Sequence, residues 1–149
     1  MSTASYRPQA GPLRWRDVSV IDYKREGHAS FRDVTRQVLF DDPSLACQLR
    51  YFEIAPGGHT TLERHEHAHA VVIERGRGQC LIGDRIYDVV EHDLIHVPPM
   101  TWHQFRATQE DALGFLCVVN AERDRPQLPT ETDLAQLRED PDVAAFIRT

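Results

Sequence analysis

The sequence predicts a small all-β barrel or sandwich with two short helices at its C-terminal end. Three observations carry this. Short β-like segments separated by turn signals recur at regular spacing from Leu13 to about Val119. No helical period of useful length occurs before residue 130. A capping box then stands at Thr130-Glu131-Thr132-Asp133.

Taken in order, residues 1–12 are polar, broken by Pro8, Gly11 and Pro12, and read as a flexible tail ahead of one domain spanning 13–149. Val34 to Phe40 is rich in β-branched and apolar residues and ends at the turn Asp41-Asp42-Pro43. In Leu45 to Ile54, Leu45, Cys47, Leu49 and Tyr51 alternate with more polar neighbours, and Ala55-Pro56-Gly57-Gly58 is expected to close the strand. Val71-Val72-Ile73 runs into Gly76-Arg77-Gly78, read as another break. Cys80-Leu81-Ile82 leads into Gly83-Asp84, a hairpin signal, with Ile86 to Val90 returning. Asp93 to Val97 stops at Pro98-Pro99, and Gly114 to Val119 is the last strong strand. The core barrel is expected at about 45–119 and a helical tail at about 130–149. Thr130 caps the first helix. Asp140 caps the second, with Pro141 at its first position.

Composition narrows the function. A chain of 149 residues fits one domain. The apolar share of 41% and charged share of 27% are ordinary for a globular protein. With a net charge of −6, nucleic acid and anionic membranes are not expected as partners, since both need a basic patch. Cys47, Cys80 and Cys117 are odd in number and lack CxxC spacing, which argues against a disulfide framework and a thiolate zinc site. Cys117, inside Phe115-Leu116-Cys117-Val118-Val119, reads as a small core hydrophobe. A reducing, cytoplasmic compartment is the expectation. No apolar run suits a signal peptide or a membrane span.

The chemistry concentrates in Gly57 to His69, where Glu63, His65, His67 and His69 stand at alternate positions. In a strand, such positions share a face. Imidazole and carboxylate together suit zinc, iron, nickel, copper or manganese.

This stretch resembles the first motif of the cupins: Gly, five residues, His-x-His, three or four residues, Glu, six residues, Gly. Laid on the chain it runs from Gly57 to Gly76, with Glu63 and His65 at the paired histidines and His69 at the glutamate. The second motif, Gly, five residues, Pro-x-Gly, two residues, His, three residues, Asn, places His92 and Met100 at its glycines, Pro98 at its proline, His103 at its histidine and Ala107 at its asparagine. The resemblance implies a double-stranded β-helix, the jelly-roll barrel of that family. It implies one divalent metal ion (Fe, Mn, Zn or Ni) on Glu63, His65, His69 and His103. If His65 and His67 were the first pair, the third ligand would fall near Val71 or Val72, which cannot bind metal. His67 therefore stands as an alternative ligand only.

Tyr51, Val71, Ile73, Phe105 and Phe115 are the residues expected to line a pocket for a small organic molecule, and Trp102 is a further aromatic candidate. The expected function is a metal-dependent enzyme of oxygenase- or isomerase-like activity. The alternative is a non-catalytic binding or sensing module with a structural metal. The resemblance also implies a homodimer, to which Arg14 to Lys24 would add a strand. Arg64, Arg75 and Arg77 read as surface charges, while His59, His92 and His96 belong to loops or outer faces. His28 carries no signal.

Overall fold

The computed structural model describes residues 5–24 and 30–149; His28 lies outside them. A hairpin of β1 (Gln9–Gly11) and β2 (Arg14–Trp15) precedes the main sheet, so part of the segment expected to be a flexible tail is paired strand. Then follow β3 (Ile21–Asp22), β4 (Arg32–Phe40), β5 (Cys47–His59), β6 (His69–Ile82), β7 (Arg85–Val90), β8 (Leu94–Val97), β9 (His103–Ala107) and β10 (Leu113–Asn120). β3 pairs with β4 of its own chain.

The strands close on themselves. β5 pairs with β10, β10 with β6, β6 with β9, and β9 returns to β5 at His59–Arg106. All of these pairings are antiparallel, and closure removes the exposed strand edges that an open sheet would leave.

Two expected breaks are instead continuous strand. β5 runs through Ala55-Pro56-Gly57-Gly58 to His59, with an irregularity in its register against β4. β6 runs through Gly76-Arg77-Gly78. The cause is local. Gly76 has φ +69°, and a Cβ there would lie 1.9 Å from the Ala112 carbonyl oxygen. Glycine lets β6 bend at this point. Before the bend β6 pairs with β8, and beyond it with β7 and β9.

Inward positions of β5, β6 and β10 fill the barrel with Phe52, Ile54, Val71, Ile73, Phe115 and Cys117. A second apolar cluster lies under the C-terminal helices α1 (Glu131–Leu137) and α2 (Pro141–Phe146), where Leu62 and Leu81 meet Leu134, Val143, Phe146 and Ile147. Both predicted caps form. Thr130 and Asp133 exchange side chain-to-backbone hydrogen bonds, and the Asp140 carboxylate accepts from the Asp142 and Val143 amides. Among the described residues no helix is long and apolar enough to cross a membrane.

Candidate metal centre

Two strand starts and the segment after β5 bring the histidines together. His69 opens β6 and His103 opens β9. His65 sits in the segment after β5, where the Glu63 and His103 backbones exchange two hydrogen bonds. The His65 carbonyl accepts from the Met100 amide, which ties this segment to the turn before β9.

Hydrogen bonds fix which nitrogen each ring presents. His65 Nδ1 donates to the His67 carbonyl at 2.7 Å, and His103 Nδ1 donates to the Thr101 carbonyl at 2.9 Å. A neutral ring protonated at Nδ1 carries a bare lone pair at Nε2. His69 Nδ1 lies 3.0 Å from Cys117 Sγ, and its Nε2 lies 2.9 Å from His65 Nε2. Two nitrogens each about 2.0–2.1 Å from one ion are about 2.9 Å apart when they meet it near a right angle. The ring planes of His65, His69 and His103 cross one another at 70–75°, so the imidazoles are splayed around a point. The donor set fits a divalent ion, and orienting bonds on the far nitrogens are what ligating histidines normally carry.

Burial keeps these rings neutral. Desolvation first, then the charges of neighbouring histidines, lowers His65 to about 4 and His69 to about 2. Desolvation also lowers His103. At neutral pH all three lone pairs are available for a metal.

His67 occupies a different place. Its ring stacks on His65 at 3.6 Å, and its Nδ1 lies 2.7 Å from Asp124 Oδ1. Asp124 also accepts from the Glu66 and His67 amides. The Glu66 amide foremost, with His67 behind it, holds its carboxyl well below the usual carboxylate range. His65, His67 and Asp124 form a second group of mutually close ligand atoms. The committed bonding of His67 to Asp124 favours the His65, His69 and His103 group as the metal set. The Glu63 carboxylate belongs to neither group and is engaged by the Lys24 ammonium.

The histidines sit in a pocket of about 220 Å³. Of the expected lining residues, Val71, Phe105 and Phe115 are present. Tyr51 and Ile73 are not. Tyr51 points to the other face of β5, donating its hydroxyl to Glu53 and meeting Trp15 edge-on. Ile73 is wholly buried in the core. Trp102 lies under the Arg64 guanidinium, on the helix side. Arg64, Arg75 and Arg77 pair with Asp133, Glu53 and Asp111, away from the pocket.

Sequence reasoning missed Tyr23, Lys24, Arg50, Cys117 and Asp124, all on the pocket wall. The signal for Arg50 was available: it stands two residues from Phe52, on the face opposite Tyr51. Cys117 is opposite Arg50 in the β5–β10 register. It is therefore a pocket thiol as well as a core residue.

The Cupin domain model matches residues 50–119. The 1-methylthio-D-xylulose 5-phosphate methylsulfurylase of Rhodospirillum rubrum is 57% identical over 142 residues, covering 95% of this chain and 91% of the relative. The chain is a cupin. Solved structures agree. A cupin 2 conserved barrel domain protein from Rhodopseudomonas palustris is 62% identical with TM-score 0.92, over 97% of this chain and all of that one. A cupin-2 domain from Rhodospirillum rubrum is 57% identical with TM-score 0.85, over 95% of each chain. In this cupin the motif glycines Gly57 and Gly76 have positive φ. So do the residues replacing the other two motif glycines: His92 at 75° and Met100 at 54°. The backbone keeps the motif where the side chains have left it.

Proposed function

We propose that this cupin is a metal-dependent enzyme that takes the methylthio group from a small ketose phosphate. One observation carries the reading: the free thiol Cys117 stands on the pocket wall 3.0 Å from the ring of His69. The substrate in the relative's name bears sulfur on carbon 1, beside the carbonyl carbon of a xylulose, and phosphate on carbon 5. A sulfur so placed invites a soft nucleophile, because the carbonyl accepts the electron pair that the broken C–S bond leaves on carbon 1.

His65, His69 and His103 would hold a divalent ion, which would supply Lewis acidity for a carbonyl oxygen. Burial pushes the Cys117 thiol up, but the Arg50 guanidinium and the His69 Nδ1–H beside its Sγ favour the thiolate, which attacks the methylthio sulfur. The C1–S bond breaks and a Cys117–S–S–CH3 disulfide forms. Carbon 1 takes up a proton, matching the one the thiol gave up, from Glu63, the pocket-wall carboxyl beside Lys24, which gives the 1-deoxy ketose phosphate. A thiol co-substrate then exchanges with the disulfide, restores Cys117 and leaves with the methylthio group. The two electrons that reduce carbon 1 come from sulfur, so each turnover consumes thiol and needs no other oxidant or reductant.

The test is turnover of 1-methylthio-D-xylulose 5-phosphate by metal-loaded protein with a small thiol. We expect 1-deoxy ketose phosphate as product, no turnover by Cys117→Ser at unchanged metal content, and a methyl-disulfide adduct on Cys117 when the thiol is withheld. Turnover that survives Cys117→Ser would remove the thiol from the mechanism. No product with any divalent metal would remove the reading.

A further inference from the structure

Arg50 is buried inside the barrel, 8% exposed. Its guanidinium lies over the Phe52 ring at 4.9 Å, and its Nη2 is 4.0 Å from Cys117 Sγ. Its Nε has no hydrogen-bond partner among the described residues. No carboxylate among the described residues forms a salt bridge with it. The acidic groups lining the pocket are engaged elsewhere, Glu63 by Lys24 and Asp124 by His67. A buried cation normally has a counter-charge, because desolvation is otherwise costly.

A second arginine faces the same space. Arg123 lines the pocket from its rim and donates to the Asn120 and Ala121 carbonyls. Burial, and then the charge of Arg50, lowers its pKa, while Asp41 opposes that. Arg36 also lines the pocket. Along one wall the order is metal-site histidines, Cys117, Arg50.

We infer that Arg50 and Arg123 form an anion subsite that grips the phosphate monoester of the substrate, fixing which end of a short sugar phosphate faces the histidines. Planar guanidinium groups match phosphate oxygens in charge and in hydrogen-bond geometry. The identity of the ligand as a sugar phosphate rests on the proposed function; the need for an anion beside Arg50 rests on its burial alone.

The experiment uses the metal-loaded protein and inorganic phosphate as probe, followed by calorimetry and thermal shift. Arg50→Met and Arg123→Gln should each weaken phosphate binding about tenfold or more, at unchanged metal content. Arg123→Gln alters a rim residue, so it keeps the test open if Arg50→Met does not fold. Phosphate binding equal to wild type in a folded variant overturns the subsite, whatever the activity. With substrate, KM should rise at least tenfold in Arg123→Gln with a smaller change in kcat, and the sugar lacking phosphate should show no such difference between wild type and variant. An equal KM effect on the unphosphorylated sugar would contradict phosphate as the group gripped. Arginine-dependent phosphate binding with no turnover of the methylthio sugar would sink the proposed function and leave the subsite standing.

Discussion

His103 and Gln104 are neighbours in β9 but belong to different parts of the molecule. His103 and Phe105 face the pocket. Gln104 and Arg106 face outward and hold the C-terminal tail. The Gln104 amide donates to the Thr60 and Arg148 carbonyls and accepts from the Arg148 amide, and Arg106 donates to the Phe146 carbonyl. One strand thus serves a titratable site on one face and, on the other, hydrogen-bonds the C-terminal tail, through the period-two alternation of side chains. The difference teaches that site chemistry and barrel stability are separable even between adjacent residues. Changes on the outer face should cost stability and leave the site intact; changes on the inner face should disturb the site, and stability only through its titrating groups.

The largest stability effect is expected on the outer face. Phe146 is 4% exposed, packed with Leu62 and Leu81, and lies under Arg106. Phe146→Ala should cost about 3–5 kcal/mol in denaturant unfolding. Metal stoichiometry of the folded fraction should not change. Loss of metal in that fraction would mean that the two faces are coupled.

The inner face should reveal itself through pH. In metal-free protein, the folded chain protonates His65 only near pH 4, while the unfolded chain does so near 6.5. Unfolding takes up a proton within that window, so stability falls as pH drops from about 6.5 towards 4 and is unaffected by this group above it. The expected loss is on the order of 2 kcal/mol. His65→Gln should reduce the slope without abolishing it, because His69 and His103 are lowered by burial as well. An unchanged slope would show that burial of His65 is not its source.

The smallest effect belongs to the backbone of the family motif. His92 holds φ 75°, which a side chain tolerates poorly, in an exposed turn away from the pocket. His92→Gly should relieve that strain and stabilise by up to about 1 kcal/mol, without altering metal binding. A destabilised His92→Gly would show that the imidazole makes a contribution of its own.

These motif positions also show how far the sequence was legible. The resemblance to the cupin motifs located Gly57, Gly76, His92 and Met100, and all four have positive φ. The same resemblance implied Glu63, His65, His69 and His103 as ligands; the three rings converge, while the Glu63 carboxylate is engaged by Lys24. The strand breaks expected at Pro56-Gly57-Gly58 and Gly76-Arg77-Gly78 were misread because glycine marks a bend within a strand as readily as an end. Tyr51 was assigned to the pocket because aromatic character does not say which face of β5 it occupies. Arg50, Cys117 and Lys24 escaped for a different reason. They lie on segments far apart in sequence, and only the pairing of Arg50 with Cys117 and the reach of Lys24 to Glu63 bring them to one wall.

The central claim is that His65, His69 and His103 hold one divalent ion while His67 supports them through Asp124. Elemental analysis of purified wild type and of the four single His→Ala variants tests it most directly. The account predicts one ion per chain in wild type and in His67→Ala, and loss of the ion in His65→Ala, His69→Ala and His103→Ala with the fold retained. Metal lost from His67→Ala but kept in His69→Ala or His103→Ala would contradict it and move the centre to His65, His67 and Asp124.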